Sequence, residues 1–233
     1  MLLVACQPQK DIPLILPTPQ LWEISYPPAL GWIEPALNGC TLLMPGHGLV
    51  VNRVPYTSLK PRETDILLVW DGEEAWGGST YVLGFDELVA IVNSQNSIST
   101  LTAAQMKQIF NGEIKSWGEA VSDAPDVQKI EVWDYPPGNE MRSMLVSFFG
   151  SPLHNPEALF APDPKAMLQA VSSNPNAIGY APRRWINESV KVILVEEGEA
   201  LTRQPILANT PTEPDEPLHA WLACLQQSIQ GKN

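Results

Sequence analysis

Positive charge is scarce in this chain: 14 lysines and arginines face 26 aspartates and glutamates, a formal net charge of -12. Such a surface repels nucleic acid and anionic lipid. A small anionic ligand is not excluded, because a helix N-terminus and one arginine can override the global field locally. No apolar run is long enough to span a membrane. A Gly-rich phosphate loop, a zinc-spaced Cys/His set and a nucleophile elbow are all missing, as is any acid–base pair at a workable spacing. The three histidines, His47, His154 and His219, lie far apart, each near Pro or Gly, and read as surface or capping residues. These absences argue against an enzyme and against a bound cofactor or metal.

What is present suffices for a folded core: 233 residues, 44% of them hydrophobic, enough for one or two domains. The 23 prolines gather in the first 61 residues and after Pro205, which predicts loop-rich ends. Of the three cysteines, Cys6 ends the run Leu3-Val4-Ala5-Cys6, which resembles a bacterial lipobox, with Gln7-Pro8-Gln9-Lys10 as the start of a polar tether. The residues before Cys6 lack a charged n-region and an apolar h-region, so lipid anchoring through Cys6 is expected only from a start further upstream. The alternative is an apolar N-terminus with a chance cysteine.

Apolar patterning predicts a short strand over 12–16, then helical spacing over 21–37, broken by Pro27-Pro28, then a strand over 41–44 closed by Pro45-Gly46-His47-Gly48. The continuous apolar run 66–70 reads as a strand buried on both faces. Strands are expected at 81–83 and 88–92. Thr102 and Gln105 form a capping box for a helix that stops at Asn111-Gly112. A strand over 129–133, the turn Pro136-Pro137-Gly138 and a helix capped by Asn139 follow. Asp163-Pro164 opens another helix. Strands over 177–181 and 191–195 and a final helix opened by Pro217 complete the pattern. Strands alternating with helices predict an α/β fold with largely parallel sheets.

Three stretches share one resemblance. Leu101-Thr102-Ala103-Ala104-Gln105-Met106-Lys107-Gln108-Ile109-Phe110-Asn111-Gly112, followed by Ile114 and Trp117, resembles a motif of the phosphate-binding, PstS-like branch of the type 2 periplasmic binding proteins of ABC importers. Leu88-Val89-Ala90-Ile91-Val92-Asn93 matches that family's crossover strand. Val171, Pro175 and Ala177-Ile178-Gly179-Tyr180 match its return. The resemblance implies a two-lobed clamp with two crossover strands, a cleft between the lobes and a hinge. It places a tether at 1–11, lobe 1 at 12–84 and 182–233, lobe 2 at 93–176, and crossovers near 85–92 and 177–181.

The family's oxyanion site falls on Trp133-Asp134-Tyr135-Pro136-Pro137-Gly138-Asn139-Glu140-Met141-Arg142, and there the motif is broken. Gly138 and Arg142 match. Asn139-Glu140-Met141 replaces Ser-Gly-Thr, and Asp134 or Tyr135 stands where a strand-end Arg is expected. A dianion beside Asp134 and Glu140 would meet like charge. Asp65 either matches the family's acid before the third strand or is an exposed turn carboxylate, with Asp71 as a second candidate. Thr18 lies in the position of the loop after the first strand, and Gly46-His47-Gly48 in that after the second. Trp22, Trp70, Trp76 and Trp133 fall near expected strand ends, where they either line the cleft or belong to the core. Arg183-Arg184 is either a cleft-facing pair near the hinge or a solvated turn.

With Cys6 lipidated, Cys40 and Cys224 remain as an even pair. The family packs the chain's end back on lobe 1, which implies that both lie there, as a disulfide or as two buried thiols. The function implied is an extracytoplasmic solute-binding protein, lipid-anchored and monomeric, serving an ABC permease. The alternative is a ligand-binding sensor or accessory module on the same clamp.

Overall fold

The computed structural model describes residues 18–70, 78–121, 129–195 and 200–231. The expected strand over 12–16, together with Cys6, Asp71 and Trp76, lies outside the described residues.

The chain enters with β1 (Gln20–Tyr26), not with the helix expected from residue 21. Trp22, Ile24 and Tyr26 alternate inward with the period of a strand, whereas Leu21, which completed the helical spacing, is 57% exposed. Pro27-Pro28 ends the strand, and a 3-10 turn over Pro28–Ile33 leads into α1 (Glu34–Leu42), with Pro35 in its first turn. Residues 41–44, expected as a strand, are the end of α1 and a turn. Leu42 and Leu43 point outward there, 86% and 67% exposed. The second strand, β2 (His47–Arg53), starts after Gly46, whose φ of 78° suits glycine. β3 (Ile66–Trp70) is buried at all five positions, as its continuous apolar run predicts.

β4 (Ser79–Asn93) merges the two strands expected at 81–83 and 88–92. Its middle, Gly84-Phe85-Asp86-Glu87, pairs along a partner strand instead of turning. Next come β5 (Thr100–Leu101), α2 (Ala103–Phe110), α3 (Trp117–Ala120), β6 (Glu131–Asp134), α4 (Glu140–Phe149), β7 (Leu159–Phe160), α5 (Pro164–Ser173), β8 (Ala177–Pro182), β9 (Val190–Val192), β10 (Leu194–Val195), β11 (Ala200–Thr210) and α6 (Glu216–Gln230). The capping box at Thr102 and Gln105 forms in both directions, at 3.0 and 2.7 Å. Asn139, Asp163 and Asp215 cap α4, α5 and α6 through their side chains. β11 was not legible in the sequence, because Pro205 suggested a loop; Pro205 instead sits within the strand, opposite Phe85.

Nine strands form one mixed sheet in the order β2-β1-β3-β11-β4-β8-β6-β7, with β9 added on β4; β10 and β5 pair separately. Lobe 1 is built on the parallel strands β2, β1 and β3, flanked by antiparallel β11 and the first part of β4. Lobe 2 is built on the last part of β4, antiparallel β8 and the parallel strands β6 and β7. β4 therefore carries the chain from lobe 1 to lobe 2. Residues 190–195 pair at the lobe 2 end of β4 and with β5, and the chain's final return to lobe 1 is β11. This is a two-lobed α/β clamp with two crossover strands. Its hydrophobic core is continuous, from Trp22 and Leu30 in lobe 1 to Met141 and Val171 in lobe 2.

The terminal helix α6 lies on the lobe 1 half of β4. Contact is so close that a Cβ on Gly84 would come within 2.7 Å of Ile229 Cγ2. A disulfide between Cys40 on α1 and Cys224 on α6, with Cα atoms 5.8 Å apart, ties the helix down across 184 residues of sequence.

Candidate functional site

Ligands of open α/β sheets bind beyond the carboxyl ends of the parallel strands, where helix N-termini converge. In lobe 2 this is the end of β6 and the start of α4. Asp134 closes β6, and Tyr135, Pro136 and Pro137 lead to Gly138, whose φ of 85° turns the chain into the helix. Asn139 accepts from the amide of Met141 at 2.9 Å. Gly138 faces lobe 1: a Cβ there would lie 3.1 Å from Cγ2 of Thr57, in the segment that follows β2. The start of α4 and the carboxyl end of β2 thus meet across the lobes.

Beneath this contact lies a buried polar cluster. Asp134, 3% exposed, accepts from the hydroxyl of Tyr180, from Nη1 of Arg142 and, at 2.8 Å, from the amide of Tyr135. Arg142 reaches back from α4 and donates also to the carbonyl of Tyr135 at 3.0 Å, while its guanidinium lies 5.8 Å from the Phe160 ring. The Arg142 guanidinium at the end of β6 is thus neutralised by Asp134. Burial pushes the Asp134 carboxyl up from its ordinary range, against the opposing pull of Tyr180 and Arg142.

Glu140, the first residue of α4, is 3% exposed, and neither carboxyl oxygen has a hydrogen-bond partner among the described residues. Burial raises its carboxyl to about 7, which the amide of its own residue only partly opposes. The hydroxyl of Tyr135 is likewise buried and unpartnered among the described residues. Its ring packs edge-on against Tyr180 at 5.1 Å. Burial, then the charges of Glu140, Asp163 and Asp134, push the Tyr135 hydroxyl well above the ordinary phenol range.

The structure brings together Asp134, Tyr135, Gly138, Asn139, Glu140 and Arg142. Met141 sits in the same turn but is fully buried in the core. The lobe 1 candidates lie elsewhere. Thr18 precedes β1 and Asp65 precedes β3, at the amino ends of the parallel strands. Asp65 accepts from the amide of Glu23 at 2.8 Å. With Gln20 and Trp22 it borders a cavity of about 330 Å³ beside Thr210, Glu213 and Leu218. Six residue steps, roughly 20 Å, separate that end of β1 from its carboxyl end. The cause is the strand assignment: with β1 at Gln20–Tyr26, the segment after the first strand is Pro27-Pro28-Ala29, not Thr18-Pro19-Gln20. Gly46-His47-Gly48 likewise opens β2 instead of following it.

Trp22 and Trp70 belong to the core at 3% and 0% exposure, Trp22 stacked on His47 at 4.5 Å. Trp133, half-buried, donates to Glu131 at 2.8 Å. Near the hinge, Arg183 donates to Glu87 at 2.7 Å and Arg184 to the carbonyl of Ile229 at 3.0 Å.

Sequence reasoning missed Thr57 and a cluster at the carboxyl ends of β1 and β2. There Glu34 accepts from Tyr26 at 2.7 Å and from Arg53. Trp185 donates to the carbonyl of Ala29 at 2.7 Å, bridging the post-β8 turn to the post-β1 turn. The signal for Arg53 was a charged residue ending an apolar run, Leu49-Val50-Val51, hidden by the misplaced second strand.

Comparison with solved structures shows that the architecture is a periplasmic-binding-protein-like α/β fold. A phosphate ABC transporter substrate-binding protein with bound phosphate from Clostridium perfringens superposes with a TM-score of 0.80 at 20% identity, covering 91% of this chain and 97% of that one. An ABC-type phosphate transport receptor from Vibrio cholerae gives 0.69 at 24% identity, covering 91% and 96%. A reduced form of OxyR from N. meningitidis gives 0.63 at 18% identity, covering 90% and 95%. At these identities the likeness is one of fold. No protein-family model and no curated protein matches the chain.

Proposed function

We propose that this protein is a solute-binding clamp that captures a small molecule between its lobes and presents it to an ABC permease. The observation that carries the reading is the approach of Gly138 in lobe 2 to Thr57 in lobe 1, which sets a helix start against the carboxyl ends of the lobe 1 strands. We assign lobe 1 to 18–84 and the chain from β11 onward, and lobe 2 to 93–195, with β4 and β11 as the crossovers in place of the expected return at 177–181. The binding residues are Tyr135, Gly138, Asn139, Glu140 and Thr57, with Asp134 and Arg142 positioning them. The role is binding, not catalysis.

The compartment is extracytoplasmic. The Cys40–Cys224 disulfide fits an oxidising environment, and no helix among the described residues is long and apolar enough to cross a membrane. Attachment through a lipidated Cys6 and action as a monomer complete the reading. A second reading is a ligand-binding sensor or accessory module with no permease, in keeping with the fold likeness to a regulatory domain of OxyR.

Native mass spectrometry of the purified protein, with small-angle scattering before and after solute removal, tests the clamp. A co-purified small molecule, whose removal raises the radius of gyration, is expected. A protein that carries and binds no solute, with one shape throughout, overturns it. Cross-linking to a genomically neighbouring permease separates the importer from the sensor.

A further inference from the structure

Three consecutive residues of one short turn join lobe 2 to lobe 1 beside the crossover strands. The turn, Arg183–Trp185, follows β8 and belongs to lobe 2. Trp185 donates from Nε1 to the carbonyl of Ala29 at 2.7 Å, in the lobe 1 segment after β1. Arg184 donates to the carbonyl of Ile229 in α6 at 3.0 Å, and its guanidinium lies 4.7 Å from the Trp32 ring. Arg183 donates to Glu87 in β4 at 2.7 Å. The turn thus holds the post-β1 segment, the terminal helix and a crossover strand at once.

The seat for the indole depends on a missing side chain. A Cβ on Gly31 would lie 3.2 Å from Cζ2 of Trp185 and press on the ring. The lobe 1 side of the seat is braced in turn. Gln226 and Gln230 of α6 donate to the carbonyls of Val82 and Leu83 in β4 at 2.7 and 3.4 Å, and the Cys40–Cys224 bond ties α6 to α1.

Position decides what these contacts do. Pro182, immediately before the turn, pairs with Leu88 of β4, and Leu88 pairs on its other side with Thr202 of β11. The turn therefore starts where the two crossover strands run side by side. When one lobe rotates on the other, displacement grows with distance from the axis, so contacts beside the crossovers move least. The approach of Gly138 to Thr57 differs in kind, since it sets a glycine against a methyl carbon.

We propose that Arg183-Arg184-Trp185 is the pivot of the clamp: Trp185 stays seated on Ala29 and Gly31 in the open and the closed form, and the lobes part at Gly138 and Thr57. This rests on the clamp reading above and states how the clamp opens. Trp185 acts as a positioning residue.

Double electron–electron resonance tests the pivot, with nitroxides on ketone-bearing unnatural side chains that spare the Cys40–Cys224 bond. Exposed positions Ser58 and Ser143 report on the mouth, and exposed positions Asn38 and Glu188 on the turn. The full chain is measured as purified and after unfolding and refolding to strip bound solute. The Ser58–Ser143 distance is expected to lengthen on stripping, and the Asn38–Glu188 distance to stay single and unshifted. Trp185→Ala should broaden the Asn38–Glu188 distribution while the secondary structure is kept. Trp185→Phe, which keeps a ring but loses the Nε1 donor, takes its place should Trp185→Ala not fold. An Asn38–Glu188 shift as large as that of the mouth, or an unbroadened distribution in the folded variant, overturns the pivot; with the mouth distance still shifting, the clamp stands. If neither distance shifts on stripping, the clamp falls and the pivot with it.

Discussion

Arg142 on α4 is paired with Asp134 at the end of β6, and both lie inside lobe 2, with side chains 19% and 5% exposed. The hydroxyl of Tyr180 and the amide of Tyr135 complete the coordination of the carboxylate. The arginine that could have met an anion instead holds its own strand end.

Removing one member of this pair leaves the other charged and buried. Arg142→Ala or Asp134→Ala should therefore lower stability by about 3–5 kcal/mol. Lys60→Ala, which breaks the exposed Lys60–Glu63 pair, should change it by less than about 1 kcal/mol. Urea denaturation of the three variants checks the contrast, and equal losses would remove the structural role of the buried pair.

Inorganic phosphate should not bind tightly. The missing Ser-Gly-Thr and the neutralised guanidinium each withhold hydrogen bonds worth about 1.5–3 kcal/mol to a charged acceptor. Calorimetry that finds submicromolar phosphate affinity at neutral pH would refute this.

Gly138→Ala should disturb both the turn and the lobe contact. The left-handed φ of 85° disfavours a side chain by about 1–2 kcal/mol, and the new Cβ would press on Thr57. Solute affinity should fall more than in Gly39→Ala, where a Cβ meets open space. Titration of both variants with the co-purified solute makes the comparison.

Stability should decline as pH rises from about 4.5 to about 7. Glu140 and Asp86 are each raised to about 7 by burial, so the folded state keeps protons that the unfolded state has released. Their contribution is full below the unfolded values and is lost as pH climbs to the folded ones. Glu140→Gln should flatten the wild-type curve, by a difference on the order of 3 kcal/mol for this shift. Melting temperature measured across this range for both proteins reads the effect, and parallel curves would deny it.

Reduction should release α6. Breaking the bond between Cys40 and Cys224 removes a cross-link over 184 residues and should lower stability by about 2–4 kcal/mol. Thiol titration under denaturant should gain two thiols only after reduction, and no gain would exclude the bridge.

The local signals in this chain were strong wherever a few adjacent residues decide the outcome. Capping at Thr102, Asn139 and Asp163 and the five-residue apolar strand at Ile66–Trp70 needed only neighbouring side chains and amides. The three family-like stretches in their order carried the clamp architecture. Tertiary pairing decided the rest. Residues 20–26 satisfy both helical and strand spacing, and only insertion between β2 and β3 selects the strand. That choice moved the carboxyl end of the first strand from Thr18 to Pro27. Pro205 looked like a breaker until β11 placed it opposite Phe85. Arg142, expected at the site, is paired with Asp134, because Asp134, eight residues earlier, folds within its reach. A sequence records which charges exist, but only the packed chain determines which of them neutralise one another and which, like Glu140, have no hydrogen-bond partner among the described residues.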